Sequence, residues 1–224
     1  MPGGQYYSGD GTPSDDASGD RIRLTDTPLI TMTTTDAPDG WRAAVERERE
    51  KKARFFRDGP RSPLPPDRRG EAFPGLDYYD PDLAYRYELE LHAYDDPDEV
   101  TVGTTAEGEQ RYRRYGEFRP TVDGESVTLQ AYRPADGSDR LWVPFRDETS
   151  GEETYGAGRY LDLEPDHHRV AEDAWVVDFN RAYNPTCAYN PAYECPLVPT
   201  ENWLDVRIEA GERAFPAPHG AEDA

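Results

Sequence analysis

The sequence contains little lysine, cysteine or histidine. Its 224 residues include two lysines, two cysteines and four histidines, and 46 acidic against 25 basic residues give a net charge of −21. Two cysteines are too few for a disulfide scaffold. Proteins that bind nucleic acid use a basic stripe to displace counterions from the phosphates, and this chain has none. We therefore expect no nucleic-acid partner.

Long apolar runs are missing as well. No stretch approaches the roughly 20 apolar residues that a membrane helix needs. The first residues lack the basic start and apolar stretch of a secretory signal, so the sequence predicts a cytoplasmic protein without a membrane partner. A surplus of carboxylates with almost no lysine is typical of cytosolic proteins from high-salt organisms, where a Debye length of about 3 Å at 1 M salt screens self-repulsion.

Composition divides the chain into four segments. They are predicted to be a disordered acidic tail (1–37), a helix with a proline-rich linker (38–70), a β domain (71–213) and a frayed tail (214–224). The helix is expected from Trp41 to about Arg57, because acidic and basic residues four positions apart stabilise helices. We interpret it as a solvated helix held by apolar groups at its two ends; the alternative is a helix that binds a partner.

Period-two alternation dominates the third segment. Tyr85, Tyr87, Leu89 and Leu91 alternate with charged residues, as in a half-buried strand. Asp123-Gly124 is the strongest hairpin sequence. Eight strands are predicted, at 85–91, 100–105, 115–122, 126–133, 141–146, 159–163, 175–179 and 203–208. Short strands at hairpin spacing predict an all-β or β-rich α+β fold, a single antiparallel sandwich or barrel-like domain with one N-terminal helix.

Residues 178–202 are predicted to be ordered but irregular. Ala-Tyr-Asn-Pro occurs at 182–185 and again at 188–191, and Asn-Pro favours turns. The segment also holds both cysteines and three tyrosines, whereas a flexible linker would be rich in Gly and Ser. It is either a structural corner without chemistry or a loop that lines a pocket.

A second segment, 146–160, links two predicted strands. Its Gly156 and Gly158 precede Arg159, but the segment lacks the Gly-Lys-Ser/Thr of a phosphate-binding loop. The glycines are interpreted either as a bend in a strand or as space for a ligand whose carboxylate Arg159 or Arg146 would bind.

Several long motifs resemble a known family. They are Phe-Arg-Asp-x-Thr-Ser-Gly-x-Glu-Thr-Tyr-Gly-x-Gly-Arg-Tyr at 145–160, Asp-Phe-Asn-Arg-Ala-Tyr-Asn-Pro-x-Cys-Ala-Tyr at 178–189 and Cys-Pro-Leu-x-Pro-x-Glu-Asn-x-Leu at 195–204. Together they resemble the domain of unknown function 1684 family, over about residues 41–213. The resemblance implies no particular reaction, and none of the four histidines falls on its motifs.

The leading hypothesis is that a pocket between these two segments binds a small polar or acidic ligand. The candidate residues are Arg146, Asp147, Tyr155, Gly156, Gly158, Arg159, Asp178, Asn180, Tyr183, Asn184, Cys187, Tyr189, Cys195, Glu201 and Asn202. The alternatives are an enzyme that uses Cys187, or Asp178 with Glu201, and a non-catalytic structural or interaction protein. Zinc-ribbon spacing is absent, so no metal site is predicted. The sequence assigns neither a cofactor nor an oligomeric state.

Overall fold

The computed structural model describes residues 38–216, and these begin with the predicted helix, α1 (Trp41–Asp58). The helix starts after Gly40, whose φ of 81° suits glycine, and ends where the Gly59 amide bonds the Phe55 carbonyl. Trp41, Val45 and Phe56 are its buried residues. The predicted tail at 1–37 and residues 217–224 lie outside the described residues.

Ten strands lie within the described residues. They are β1 (Arg86–Glu90), β2 (His92–Ala93), β3 (Glu99–Gly103), β4 (Glu109–Phe118), β5 (Thr121–Val122), β6 (Glu125–Ser126), β7 (Leu129–Pro134), β8 (Leu141–Phe145), β9 (Arg159–Leu163) and β10 (Ala174–Asp178). A short helix, α2 (Pro165–His168), follows β9. Short 3₁₀ helices occur at Pro66–Arg68, Gly70–Ala72, Leu83–Tyr85, Phe179–Arg181, Thr186–Ala188 and Thr200–Asn202. In this part of the chain no helix is long and apolar enough to cross a membrane.

All strand pairing between these elements is antiparallel. The largest sheet has the order β2-β4-β7-β8-β9, with β3 also paired to β4, while β1 pairs with β10 and β5 with β6. The turn between β5 and β6 has positive φ at both Asp123 (50°) and Gly124 (87°), as the Asp-Gly sequence predicts. The architecture confirms a β-rich antiparallel fold with one main helix.

The main core lies between the β1–β10 pair and the large sheet. Phe145 of β8 packs edge to face on Phe179, just after β10, with ring centroids 5.2 Å apart. Tyr87 of β1 lies 6.0 Å from the same ring. All three belong to one buried cluster that draws side chains from both sheets. Full burial of each such side chain stabilises the fold by about 1.5–3 kcal/mol.

The predicted strand at 203–208 is wrong. Leu204, Val206 and Ile208 are buried while the residues between them are not, so the alternation is real. The neighbouring chain, however, pairs with this segment only briefly, through the Leu204 amide to the Arg146 carbonyl (2.8 Å) and the Glu148 amide to the Val206 carbonyl (2.9 Å). It then turns at residues 147–150, so no ladder forms.

The prediction for β4 was too short. This strand begins at Glu109, yet its first residues, Glu-Gln-Arg, are exposed and carry no alternation in hydrophobicity. Backbone pairing to β3 holds this part of the strand in place, and pairing to β7 begins only at Tyr112.

Candidate functional site

Arg159, at the start of β9, lies in the interior with no exposed side-chain surface. Its guanidinium donates to the Asp147 carboxylate (3.1 Å), the Ile208 carbonyl (2.9 Å) and the Ala210 carbonyl. Asp147 also accepts hydrogen bonds from the Thr149 hydroxyl (2.8 Å) and the Ile208 amide (2.8 Å). Burial lowers the pKa of Arg159, and Asp147 opposes that shift. We call Arg159, Asp147 and Thr149 with these backbone partners the Arg159 network.

The glycine turn that precedes Arg159 is closely packed. Gly158 has a φ of 96°, and a Cβ there would lie 2.6 Å from the Phe145 carbonyl oxygen. A Cβ at Gly156 would lie 3.6 Å from the Gly151 Cα, an ordinary van der Waals contact. Arg146 stacks over the Trp203 ring, 4.4 Å from its centroid. These contacts favour a structural bend in this turn, and its role in ligand binding stays a prediction.

Tyr155 of this turn meets the cysteines of the predicted partner loop. Its hydroxyl lies 3.7 Å from the Cys187 sulfur, and the Cys187 amide donates to the Cys195 sulfur across 3.2 Å. Both cysteines are free thiols. Burial raises the pKa of Cys195 to about 11, whereas a nucleophilic thiol needs a lowered pKa. Within residues 38–216 no group of three or more His, Cys, Asp or Glu side chains could hold a metal ion.

The last two predicted residues contact other strands. Asn202 is fully buried and spans β7 and β8, accepting from the Gln130 amide (2.8 Å) and donating to the Pro144 carbonyl (2.6 Å). The Glu201 carboxylate accepts a hydrogen bond from the Tyr132 hydroxyl (2.8 Å). Asp178 forms its hydrogen bonds with Trp41, Asn180 and Arg181, and none with Asn202 or with Glu201, its predicted partner.

Asp178 instead holds the start of α1, and Asn180 holds the chain at Asp82. The Asp178 carboxylate, 2% exposed, accepts hydrogen bonds from the Trp41 indole (2.8 Å) and the Arg181 guanidinium (3.3 Å). The Asn180 side chain bonds the backbone of Asp82 through both its oxygen (2.8 Å) and its nitrogen (2.7 Å). The end of β10 is therefore the first anchor of the helix.

A buried ion pair holds the middle of α1. The Lys52 ammonium lies 2.7 Å from the Glu212 carboxylate, which is 1% exposed and also accepts from the Tyr189 hydroxyl (2.7 Å) and the Asn184 amide (3.0 Å). The rings of Tyr183, Tyr189 and Phe56 surround the ammonium, each with its centroid 5.3 Å away. Here the predicted Asn184 and Tyr189 serve to bind a carboxylate of the chain itself.

Between these two anchors, α1 covers a pocket of about 230 Å³, which we call the α1 pocket. Its lining is Val45, Glu48, Arg49, Lys52, Tyr78, Asn180, Arg181, Ala182 and Tyr183. Three of these side chains are cationic and one is a carboxylate. Arg181 bonds both that carboxylate, Glu48, and Asp178.

Two hydrogen-bond donors of the α1 pocket are buried without a partner among the described residues, the Tyr78 hydroxyl and Arg49 Nε. Arg49 donates from its other nitrogens to the Tyr79 carbonyl (2.8 Å) and the Asn180 carbonyl (3.1 Å), and its guanidinium lies 4.5 Å above the Tyr78 ring. Burial, with a smaller contribution from Glu212, raises the pKa of Tyr78, so its hydroxyl keeps its proton at neutral pH.

Sequence reasoning named Asn180 and Tyr183 and missed the other seven lining residues of this pocket, among them Arg49, Lys52 and Tyr78. The pattern that could have found Arg49 and Lys52 is a stripe along α1. Trp41, Val45, Arg49, Lys52 and Phe56 follow each other at intervals of three or four, which places them on one helix face. That face is apolar at its ends and cationic in its middle.

Comparison with known proteins gives a family and a related structure. A sequence profile described as "Protein of unknown function (DUF1684)" matches residues 71–213. An uncharacterised protein of Haloarcula marismortui, solved by solution NMR, is 41% identical with a TM-score of 0.61, and the match covers 78% of this chain and 95% of that one. A search of curated proteins gave no match.

Proposed function

Because this chain belongs to the DUF1684 family of proteins of unknown function, its activity has to be inferred from its site, and we propose that the α1 pocket binds a small molecule through an acid group. The observation that carries this proposal is the Tyr78 hydroxyl, a buried donor without a partner that lines the pocket. Such a group destabilises a fold by about 1–3 kcal/mol, and a bound acceptor would remove that penalty.

The chemistry of the lining favours an anionic acceptor. Arg49 Nε can only donate, and Tyr78 keeps its proton, so both groups need an acceptor. Of the three cations in the lining, Lys52 pairs with Glu212 and Arg181 pairs with Glu48 and Asp178, whereas Arg49 has no ion pair among the described residues. A carboxylate has two acceptor oxygens and the charge that these cations favour.

The size of the pocket limits the ligand. Its volume of about 230 Å³ is below the roughly 300–1,000 Å³ of pockets that take drug-sized molecules. Tyr78 and Tyr183 contribute rings to its walls, and Val45 and Ala182 contribute aliphatic surface. These properties support a short acid with a small apolar body.

Two of the residues predicted from sequence, Asn180 and Tyr183, line the α1 pocket. Asp178 supports it by binding Trp41 and Arg181. The ligand is therefore still an acid, and the start of the 178–202 loop still forms one wall of its pocket. The other wall is the face of α1 and not, as predicted from the sequence, the turn before Arg159.

We also propose that the protein works in a salt-rich cytoplasm. The excess of 46 acidic over 25 basic residues and the similarity to a Haloarcula protein support this setting. Binding experiments should therefore be made in concentrated salt.

The test is a titration of the full chain in concentrated sodium chloride, with chloride replaced at constant sodium by formate, acetate, propionate or butyrate. A ligand that binds the folded state raises its unfolding temperature in a saturable way, and calorimetry gives the affinity. We expect one of these acids to bind, and Tyr78→Phe to weaken it about tenfold, as expected for a hydrogen bond to a charged group.

The matched control is Tyr79→Phe. This adjacent hydroxyl bonds Glu153 (2.9 Å) and does not line the α1 pocket, so its removal should leave the affinity unchanged. The proposal is wrong if none of the acids stabilises the protein more than chloride does, or if Tyr78→Phe binds as tightly as the wild type.

A further inference from the structure

Arg86, the first residue of β1, is a second buried arginine with too few partners. Its side chain is 7% exposed, and its ion-pair partner among residues 38–216 is the Glu88 carboxylate, 3.5 Å away and 41% exposed. Asp178 stands opposite Arg86 in the β1–β10 register, but Trp41, Asn180 and Arg181 already bond that carboxylate. A buried guanidinium with a single long contact is poorly compensated.

The Arg86 side chain lines a groove of about 780 Å³ beside α1. Glu48, Arg181 and Tyr183 line both this groove and the α1 pocket, so the two spaces share a wall. The groove also has apolar surface, contributed by Trp41, Ala44, Leu161, Leu163 and Val176. Its charged lining residues are Arg47, Arg86, Arg181, Asp39, Glu48, Asp162 and Asp178. Glu48 and Asp178 pair with Arg181, and Asp162 pairs with Arg140, so three of the four carboxylates already have a cation.

We propose that the ligand of the α1 pocket is a diacid, with one acid group in that pocket and the second bound by Arg86. This inference rests on the proposed function and names the class of ligand. A guanidinium binds a carboxylate through two parallel hydrogen bonds, which would give Arg86 the acceptors that Glu88 does not supply. The apolar chain between the two acid groups lies along the groove.

The positions of the two arginines set the scale of the diacid. Arg86 stands opposite Asp178 in the β1–β10 register, and the Arg49 guanidinium bonds the Asn180 carbonyl (3.1 Å), two residues further along the chain. Because the two cations are fixed on the scaffold, binding should favour one chain length.

The test measures the affinity of the full chain, by calorimetry at constant sodium, for straight dicarboxylates from succinate to sebacate and for their monomethyl esters. Each ester has the length of its diacid but one charge fewer. We expect the affinity of the diacids to peak at one length and to exceed that of the matching ester about tenfold. Arg86→Gln should abolish this difference between diacid and ester.

Arg47→Gln is the matched control, because Arg47 lines the same groove but is an exposed residue. Its removal should change the diacid preference less than twofold. If the esters bind as tightly as the diacids at every length, the diacid inference is wrong while the α1 pocket remains an acid site. If neither series binds, both proposals are wrong. If Arg86→Gln fails to fold, the comparison of diacids with esters across chain lengths in the wild type still tests the diacid inference.

Discussion

The Arg159 network and the α1 pocket contain similar groups but use them differently. Each holds an arginine that donates to backbone carbonyls, Arg159 fully buried and Arg49 half-buried. In the Arg159 network a carboxylate, Asp147, neutralises the arginine inside the protein, and no side-chain surface of the pair is exposed. In the α1 pocket the Tyr78 hydroxyl has no partner among the described residues, and an open volume lies beside it. Arg159 Nε, like Arg49 Nε, is buried without a partner among the described residues, so a missing partner alone does not separate the two clusters. The difference is that the charge of Arg159 is neutralised by Asp147, whereas the donors of the α1 pocket lie beside an open volume, and that volume indicates a ligand site.

The largest expected effect comes from opening the Arg159 network. Asp147→Asn removes the negative charge that compensates Arg159, and a buried charge without its partner destabilises a protein by about 3–5 kcal/mol. Denaturant unfolding in concentrated salt measures this loss. A loss below about 1 kcal/mol would show that the network is not part of the scaffold.

A smaller loss is expected at the ion pair beside the α1 pocket. Lys52→Met leaves the buried Glu212 carboxylate with the Tyr189 hydroxyl and the Asn184 amide, so we expect the free energy of unfolding to fall by about 2 kcal/mol. Lys51→Met is the internal control, because Lys51 is the adjacent exposed lysine and such substitutions change stability by less than about 0.5 kcal/mol. Equal effects of the two variants would contradict the structural role of Lys52.

The pH dependence of Cys195 tests whether the loop at 178–202 is reactive. Burial raises the pKa of this thiol from its usual 9.0 to about 11, so the folded state holds its proton more tightly than the unfolded state. The stability that this thiol contributes is complete below pH 9 and is lost as the pH rises through about 11. Buried tyrosines titrate in the same range, so the measured quantity is the difference between the wild type and Cys195→Ala.

Alkylation gives a second measure of the same pKa. The rate at Cys195 should follow the thiolate with a midpoint at about pH 11. A midpoint near pH 7 would mean that Cys195 is a reactive thiol and would contradict its burial; the thiol-enzyme hypothesis itself concerns Cys187.

The sequence predicted the fold class well because the fold depends on local patterns. The Asp123-Gly124 turn and the alternation in β1 each depend on residues that are neighbours in the sequence, and both are present in the structure. The strand at 203–208 failed because strand pairing depends on the neighbouring chain. That chain turns at Asp147, and no pattern within 203–208 reveals it.

The site was harder to predict, because a long sequence motif can reflect buried polar residues that hold the fold as readily as residues that bind a ligand. Asp147, Arg159 and Asn202 lie in the motifs, and each bonds backbone groups of distant segments. The α1 pocket joins a helix to residues far along the chain, as in the contact of Arg49 with the Asn180 carbonyl. A missing hydrogen-bond partner, such as that of Tyr78, becomes visible only once the chain is folded.

The most direct test of the account compares Tyr78→Phe with Tyr189→Phe in the absence of ligand. The Tyr189 hydroxyl bonds Lys52 (3.0 Å) and Glu212 (2.7 Å), so its removal should lower the free energy of unfolding by about 1.5–3 kcal/mol. Tyr78→Phe removes a hydroxyl that has no partner and keeps the ring under Arg49, so it should leave stability unchanged or raise it. A loss at Tyr78 equal to that at Tyr189 would mean that the Tyr78 hydroxyl already has a partner within the protein, and it would contradict the α1 pocket as the ligand site.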